Sequence, residues 1–137
     1  MKRPSLITLT ILSFASMCVG KAAPTQTPKN LALLHAIITV ESGGNDAAVG
    51  DGGKAVGPLQ IHPQMIEDVN RILGKEVYTL DDRKSRPKSI AIFSAYTNHY
   101  TPSWSPELVA RRWNGGSRGD KKPSTEKYWH KVQRALK

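Results

Sequence analysis

Cysteine occurs once in this chain, at position 18, inside an apolar N-terminal run. Without a second cysteine no intramolecular disulfide can staple the fold, which must rest on its hydrophobic core. Met17, directly before it, is bulkier than lipid-modification processing usually accepts. Long apolar runs are scarce too. Leu6 to Gly20 is a mostly apolar stretch of 15 residues, short of the roughly 20 that a membrane-crossing helix needs. No segment alternates apolar and polar residues for long, which argues against an extended sheet. The four histidines, His35, His62, His99 and His130, show no zinc-ligand spacing, and neither a metal nor a cofactor is expected. Gly50 to Lys54 superficially looks like a phosphate-binding loop. Ala48 stands where its first glycine belongs, however, and Ala55 replaces the required hydroxyl residue.

Acidic residues are few: 11 against 20 basic ones, a net charge of +9. Lys2 and Arg3, the apolar run and the small residues Gly20 and Ala22 form a secretory signal with cleavage expected after Ala22. Residues 1–22 are therefore read as a signal peptide, 23–30 as a flexible polar leader and 31–137 as one domain. Export to the periplasm or the exterior follows, with no stable transmembrane anchor. Cleavage would leave 17 basic against 11 acidic residues, a net charge of +6. Such a protein is drawn to polyanions, the anionic cell wall or nucleic acid. The pairs Arg111-Arg112 and Lys121-Lys122 are not interleaved with stacking aromatics, which speaks against nucleic acid.

Five helices are expected. Pro28 to Glu41 carries Leu31, Leu34, Ile37, Ile38 and Glu41 at helical spacing, with Thr27 as cap and Gly43-Gly44 as terminator. The glycine-rich stretch 45–60 reads as a loop with a short hairpin. A helix from Pro63 to Gly74 follows, with Met65, Ile66, Val69, Ile72 and Leu73 inward. Residues 75–85 read as charged and irregular. Pro87 to Tyr100 is helical with Ile90, Phe93, Ala95, Tyr96 and Tyr100 inward. Ser105-Pro106-Glu107 starts a fourth helix that ends at Trp113, before Asn114-Gly115-Gly116. The fifth runs from Ser124 or Thr125 through Tyr128, Trp129, Val132 and Leu136. The fold class is mainly α.

Glu41 is the chemical candidate. Sharing a face with Leu34 and Ile38, its carboxyl is half withdrawn from water, and desolvation is expected to raise its pKa toward neutrality. A general acid needs that property. Gln60 and Asn114 carry amides, which both donate and accept and so suit recognition of a polar ligand. Tyr96, Trp113 and Tyr128 offer apolar faces with polar tips for stacking. His62 stands beside the same motif. Asp51, Asp46 and the Asp81-Asp82 pair are candidates for a second carboxylate, with Asp51 favoured because it shares the glycine-rich loop.

Three blocks stand in order: Glu41-Ser42; Gly57-Pro58-Leu59-Gln60-Ile61 with Pro63; and Trp113-Asn114-Gly115-Gly116. Together they resemble the lytic transglycosylase domain of the lysozyme-like superfamily, whose members read Glu-Ser, Gly-Leu-Met-Gln-Ile-x-Pro and Tyr-Asn-x-Gly. Tyr128 and Val132 are similar to its closing helix, so the resemblance covers residues 31–136. Pro58-Leu59 replaces Leu-Met, Trp113 replaces tyrosine, and Gly50 stands near a serine that binds sugar in many relatives. The resemblance implies a compact lysozyme-like helical domain whose hairpin lines a cleft. It also implies Glu41 as the catalytic residue, with Ser42, Gln60, Tyr96, Trp113, Asn114 and Tyr128 around the substrate. The implied substrate is the glycan strand of peptidoglycan, and the implied product a 1,6-anhydro sugar.

Two alternatives stand beside this reading. A hydrolytic muramidase of the same fold would use a second carboxylate, about 5–5.5 Å from the first if retaining and about 6.5–9.5 Å if inverting. A non-catalytic wall-binding module would use the basic surface alone. The small size fits a monomer working locally with a larger envelope assembly.

Overall fold

The computed structural model describes residues 28–137. The expected export segment, Cys18 and the leader as far as Thr27 lie outside the described residues. Five α-helices are present among the described residues: α1 (Pro28–Ser42), α2 (Pro63–Leu73), α3 (Arg86–Tyr100), α4 (Pro106–Gly115) and α5 (Glu126–Ala135). Four open with proline at their first or second position, where the missing N–H costs nothing. The leader boundary expected at residue 30 falls inside α1, because Pro28 already starts the helix.

α1 packs on α5, α2 on α3, and α4 on both α3 and α5. Leu34, Ile37, Leu59, Ile61, Val69, Ile92, Val109 and Val132 meet in the single core between them. Expected stripes hold where a neighbour covers them and fail at helix ends. Leu31 in the first turn of α1 is 45% exposed, and Leu73 and Leu136, at or just past the C-termini of α2 and α5, also stay out.

Two short strands, β1 (Val49–Gly50) and β2 (Ala55–Val56), pair antiparallel with Val49 opposite Val56. They form the expected hairpin. Asp51, Gly52 and Gly53 turn it with positive φ, and a further bridge joins Val56 to Ile61. Residues 75–85 are more ordered than their composition suggests. The Asn70 side chain accepts from the N–H groups of Val77 and Tyr78 at 3.0 and 2.9 Å and donates to the Tyr78 carbonyl at 2.8 Å. Thr79 and Asp82 then cap a 3₁₀ turn, Leu80–Lys84. Side chain-to-backbone bonds of this kind leave no hydrophobic period to read.

That turn delivers Arg83 into the interior. Its guanidinium donates to the carbonyls of Leu80, Lys54 and Ile61 at 2.7, 3.0 and 3.2 Å, which ties the hairpin to the body. Gly57 lies against the backbone of the same residue. A Cβ there would sit 1.7 Å from the Arg83 carbonyl oxygen, and its φ is +85°. Only glycine fits both conditions.

Candidate active site

Glu41 stands in the last turn of α1, half-buried, on the wall of a cleft of about 650 Å³. The hairpin and the loop after it supply one side through Asp51, Gln60 and His62. α2 supplies Met65 and Asp68, α3 supplies Tyr96, and the end of α4 supplies Trp113 and Asn114. Burial pushes the Glu41 carboxyl from 4.5 up to about 7. A hydrogen bond from Tyr128, a weaker one from Trp113 and the charge of Lys131 oppose that rise without cancelling it. At neutral pH the group is therefore divided between acid and base forms, as proton transfer in both directions requires.

Tyr128 is where structure and expectation diverge most. It is 9% exposed, does not line the cleft, and donates from its phenol oxygen to Glu41 Oε1 at 2.7 Å. It orients the carboxyl rather than offering a face to a sugar. Burial and the neighbouring Glu41 carboxylate in turn hold its phenol well above the usual range. Tyr128→Phe is expected to raise the Glu41 pKa further, since the lost bond favoured the charged form. The alkaline limb of the pH–rate profile should then move upward while the maximal rate falls about 10- to 100-fold from lost orientation. A profile that keeps its alkaline limb would contradict this role.

Ser42 also departs from the sugar-contact expectation. Its hydroxyl bonds the Pro58 carbonyl at 2.8 Å and the Ile38 carbonyl at 3.2 Å, locking the end of α1 to the 57–61 loop, and it is not part of the cleft lining. Gln60 does line the cleft, with φ +49°, but its amide nitrogen already donates to the carbonyls of Gly57 and Ala48 at 3.0 and 3.2 Å. Its oxygen is the atom that a Cβ on Gly50 would meet, at 2.5 Å. The absence of a side chain at Gly50 and the set of Gln60 are thus coupled. Asn114 is exposed in the cleft beside Gly116 and Ser117.

Tyr96 and Trp113 line the cleft but are almost fully buried. They are 3% and 6% exposed, meet at 5.8 Å in a T-shaped pair, and Phe93 packs against Trp113 at 4.9 Å. Little ring face is left for stacking. Burial, with the Asp68 charge behind it, pushes the Tyr96 phenol up to about 12. Among the carboxylates considered from sequence, Asp51 lies in the cleft, with a 64%-exposed side chain 3.3 Å from His62 Nε2. Asp46 pairs with Arg86 and Asp82 with Lys88, away from the cleft lining.

Sequence reasoning missed Lys131 and the α2 residues Gln64 and Asp68. Lys131 follows Tyr128 by three residues, one turn on, and Gln64 and Asp68 flank Met65 on one helix face, so helical spacing was the available signal. Among the described residues no group of His, Cys, Asp or Glu is arranged to hold a metal ion, and no helix is long and apolar enough to cross a membrane.

The Transglycosylase SLT domain family matches residues 18–134. The chain belongs to that family. Membership covers nearly the whole described region and agrees with the mainly helical, lysozyme-like architecture. It associates the SLT domain with glycosidic-bond cleavage of the transglycosylase type and with peptidoglycan, a polymer found outside the cytoplasm. The matched range begins within the expected export segment. No curated protein and no solved structure matches the chain.

Proposed function

We propose that this SLT domain is a peptidoglycan lytic transglycosylase that cleaves the β-1,4 bond between N-acetylmuramic acid and N-acetylglucosamine. One observation carries the proposal: a half-buried glutamic acid in a sugar-sized cleft, its pKa near 7, held by a phenol at 2.7 Å. Protonated Glu41 gives its proton to the bridging oxygen as the bond to the muramic acid C1 breaks and positive charge develops on that ring. The resulting Glu41 carboxylate then takes the proton from the same sugar's 6-hydroxyl, whose oxygen bonds C1. The product is a 1,6-anhydro sugar, no water is consumed, and Glu41 ends protonated for the next cycle.

Tyr128 supports this double role. A donor to the carboxylate form keeps the base competent, while burial keeps the acid form accessible. Asn114, Gln60 and Trp113 are read as contacts or supports for the sugar at this point. Action on peptidoglycan agrees with the expected export of the chain, as a monomer and in concert with a larger envelope assembly.

Hydrolysis remains the rival because Asp51 faces the same cleft. Its exposure and its pairing with His62 make it a weaker partner for Glu41 than a buried carboxylate. Mass spectrometry of digested wall separates the two outcomes. Anhydro-muramyl ends are expected; reducing ends, one water heavier, would assign the chain to the hydrolases.

A further inference from the structure

Asp68 is a carboxylate of the cleft wall to which the reaction above assigns no task. It lies on α2, lines the same cleft as Glu41 and keeps 28% of its side chain exposed. Tyr100 fixes its orientation, and Arg71 pairs with one of its oxygens. The Tyr100 phenol oxygen bonds Oδ2 at 2.9 Å and Oδ1 at 3.1 Å, and the Arg71 guanidinium pairs with Oδ1 from one turn further along. A carboxylate offers about four acceptor positions. These contacts leave capacity free, chiefly on Oδ2. Along the wall, Tyr100 packs on Tyr96 at 4.7 Å, and Tyr96 packs on Trp113, which lines the cleft with Glu41. Asp68 and Glu41 are thus separated stations on one aromatic-backed surface.

Which sugar such a station accepts follows from chemistry. In a β-1,4 strand N-acetylglucosamine keeps a free 3-hydroxyl, which can donate to a carboxylate. N-acetylmuramic acid carries a lactyl ether at that oxygen, so it has no proton to give there. The lactyl group adds bulk and, where unamidated, a negative charge beside the Asp68 carboxylate. The two sugars alternate along the strand, so fixing one fixes the rest.

We infer, on the reading that the cleft takes a peptidoglycan strand, that Asp68 accepts the 3-hydroxyl of an N-acetylglucosamine unit and thereby sets which of the two linkages lies at Glu41. Tyr100 holds the carboxylate in place through both oxygens, whereas the 65%-exposed Arg71 pairs with Oδ1 alone and takes no part in the contact through Oδ2.

The test uses the Glu41→Gln protein, so that ligands stay intact, with chitotetraose and a peptide-free tetrasaccharide of alternating N-acetylglucosamine and N-acetylmuramic acid as calorimetric probes. Adding Asp68→Asn is expected to weaken both about tenfold with little change in thermal midpoint, whereas adding Arg71→Gln leaves both within about twofold. Equal affinity with and without Asp68, or the same loss of affinity and stability in both variants, would make the pair merely structural and overturn the inference. A ligand-side arm needs no Asp68 variant: 3-O-methylated chitotetraose should bind about tenfold more weakly than chitotetraose, and equal binding would overturn the inference. In the Glu41-intact protein, Asp68→Asn should add fragments ending in N-acetylglucosamine to the muramic acid-ended products. Uniform muramic acid ends would contradict the register role. Should the Asp68-intact protein bind neither probe, the proposed function falls together with this inference; binding that is indifferent to Asp68 sinks the inference alone.

Discussion

Glu41→Gln is expected to fold normally and to lose wall-cleaving activity by at least about 10²–10⁴-fold, the share that positioned acid–base catalysis contributes. The amide keeps the shape of the carboxyl, and its oxygen can still accept from Tyr128, so the loss reads out the missing proton rather than a damaged cleft. The same variant should carry a signature in stability. The Glu41 pKa rises from about 4.5 in the unfolded chain to about 7 in the folded one. Between those values the folded state binds more protons than the unfolded state, so stability declines as pH climbs through this window. The full difference is on the order of 3 kcal/mol. Glu41→Gln cannot lose that proton. It should match the wild type near pH 4 and be the more stable protein at pH 8, as measured by denaturant titration at both pH values. Equal stability at pH 8 would mean that the wild-type carboxylate is not strained by burial.

Gly57→Ala is expected to destabilise the domain by roughly 3 kcal/mol or more, among the larger effects of a single substitution. Two costs combine at this position. A side chain at φ +85° enters the left-handed region, which costs about 1–2 kcal/mol. The new Cβ would also sit 1.7 Å from the Arg83 carbonyl oxygen, a backbone atom that cannot swing aside. Relief requires the 57–61 loop to part from the Leu80–Lys84 turn, which breaks the grip of Arg83 on Lys54 and Ile61. The loop carries Gln60, and Ser42 anchors to Pro58 on the same loop, so the Glu41 end of the cleft should loosen as well. A thermal midpoint lowered by more than about 10 °C, with activity falling beyond what the unfolded fraction explains, is the expected result. A midpoint within a degree or two of wild type would show that the loop tolerates the displacement.

Much of this architecture can be read in the chain because helix signals are local. Proline at the start and glycine at the end bracket α2, and the period of Leu34, Ile37 and Ile38 marks the buried face of α1. Glu41 was legible for the same reason, sitting in phase with that face. What could not be read depends on contacts distant in sequence. Tyr128 lies 87 residues from Glu41, and nothing local reveals that its phenol meets the carboxyl. Arg83 looks like one more charge in a polar segment, yet it is buried under three carbonyls. Asn70 organises Glu76 to Tyr78 through bonds that leave no periodic trace. Ser42 and Gln60, expected as sugar contacts, already have backbone partners, because amides and hydroxyls serve loops as readily as ligands.

The central claim is that a proton resides on Glu41 near neutral pH because burial outweighs Tyr128, Trp113 and Lys131. Carbon-detected NMR of the side-chain carboxyl, titrated from pH 3 to 9 with Glu41→Gln to assign the resonance, measures this directly. A midpoint close to 7 is the expected result; a midpoint near 4.5, that of an ordinary solvated glutamate, would contradict the account.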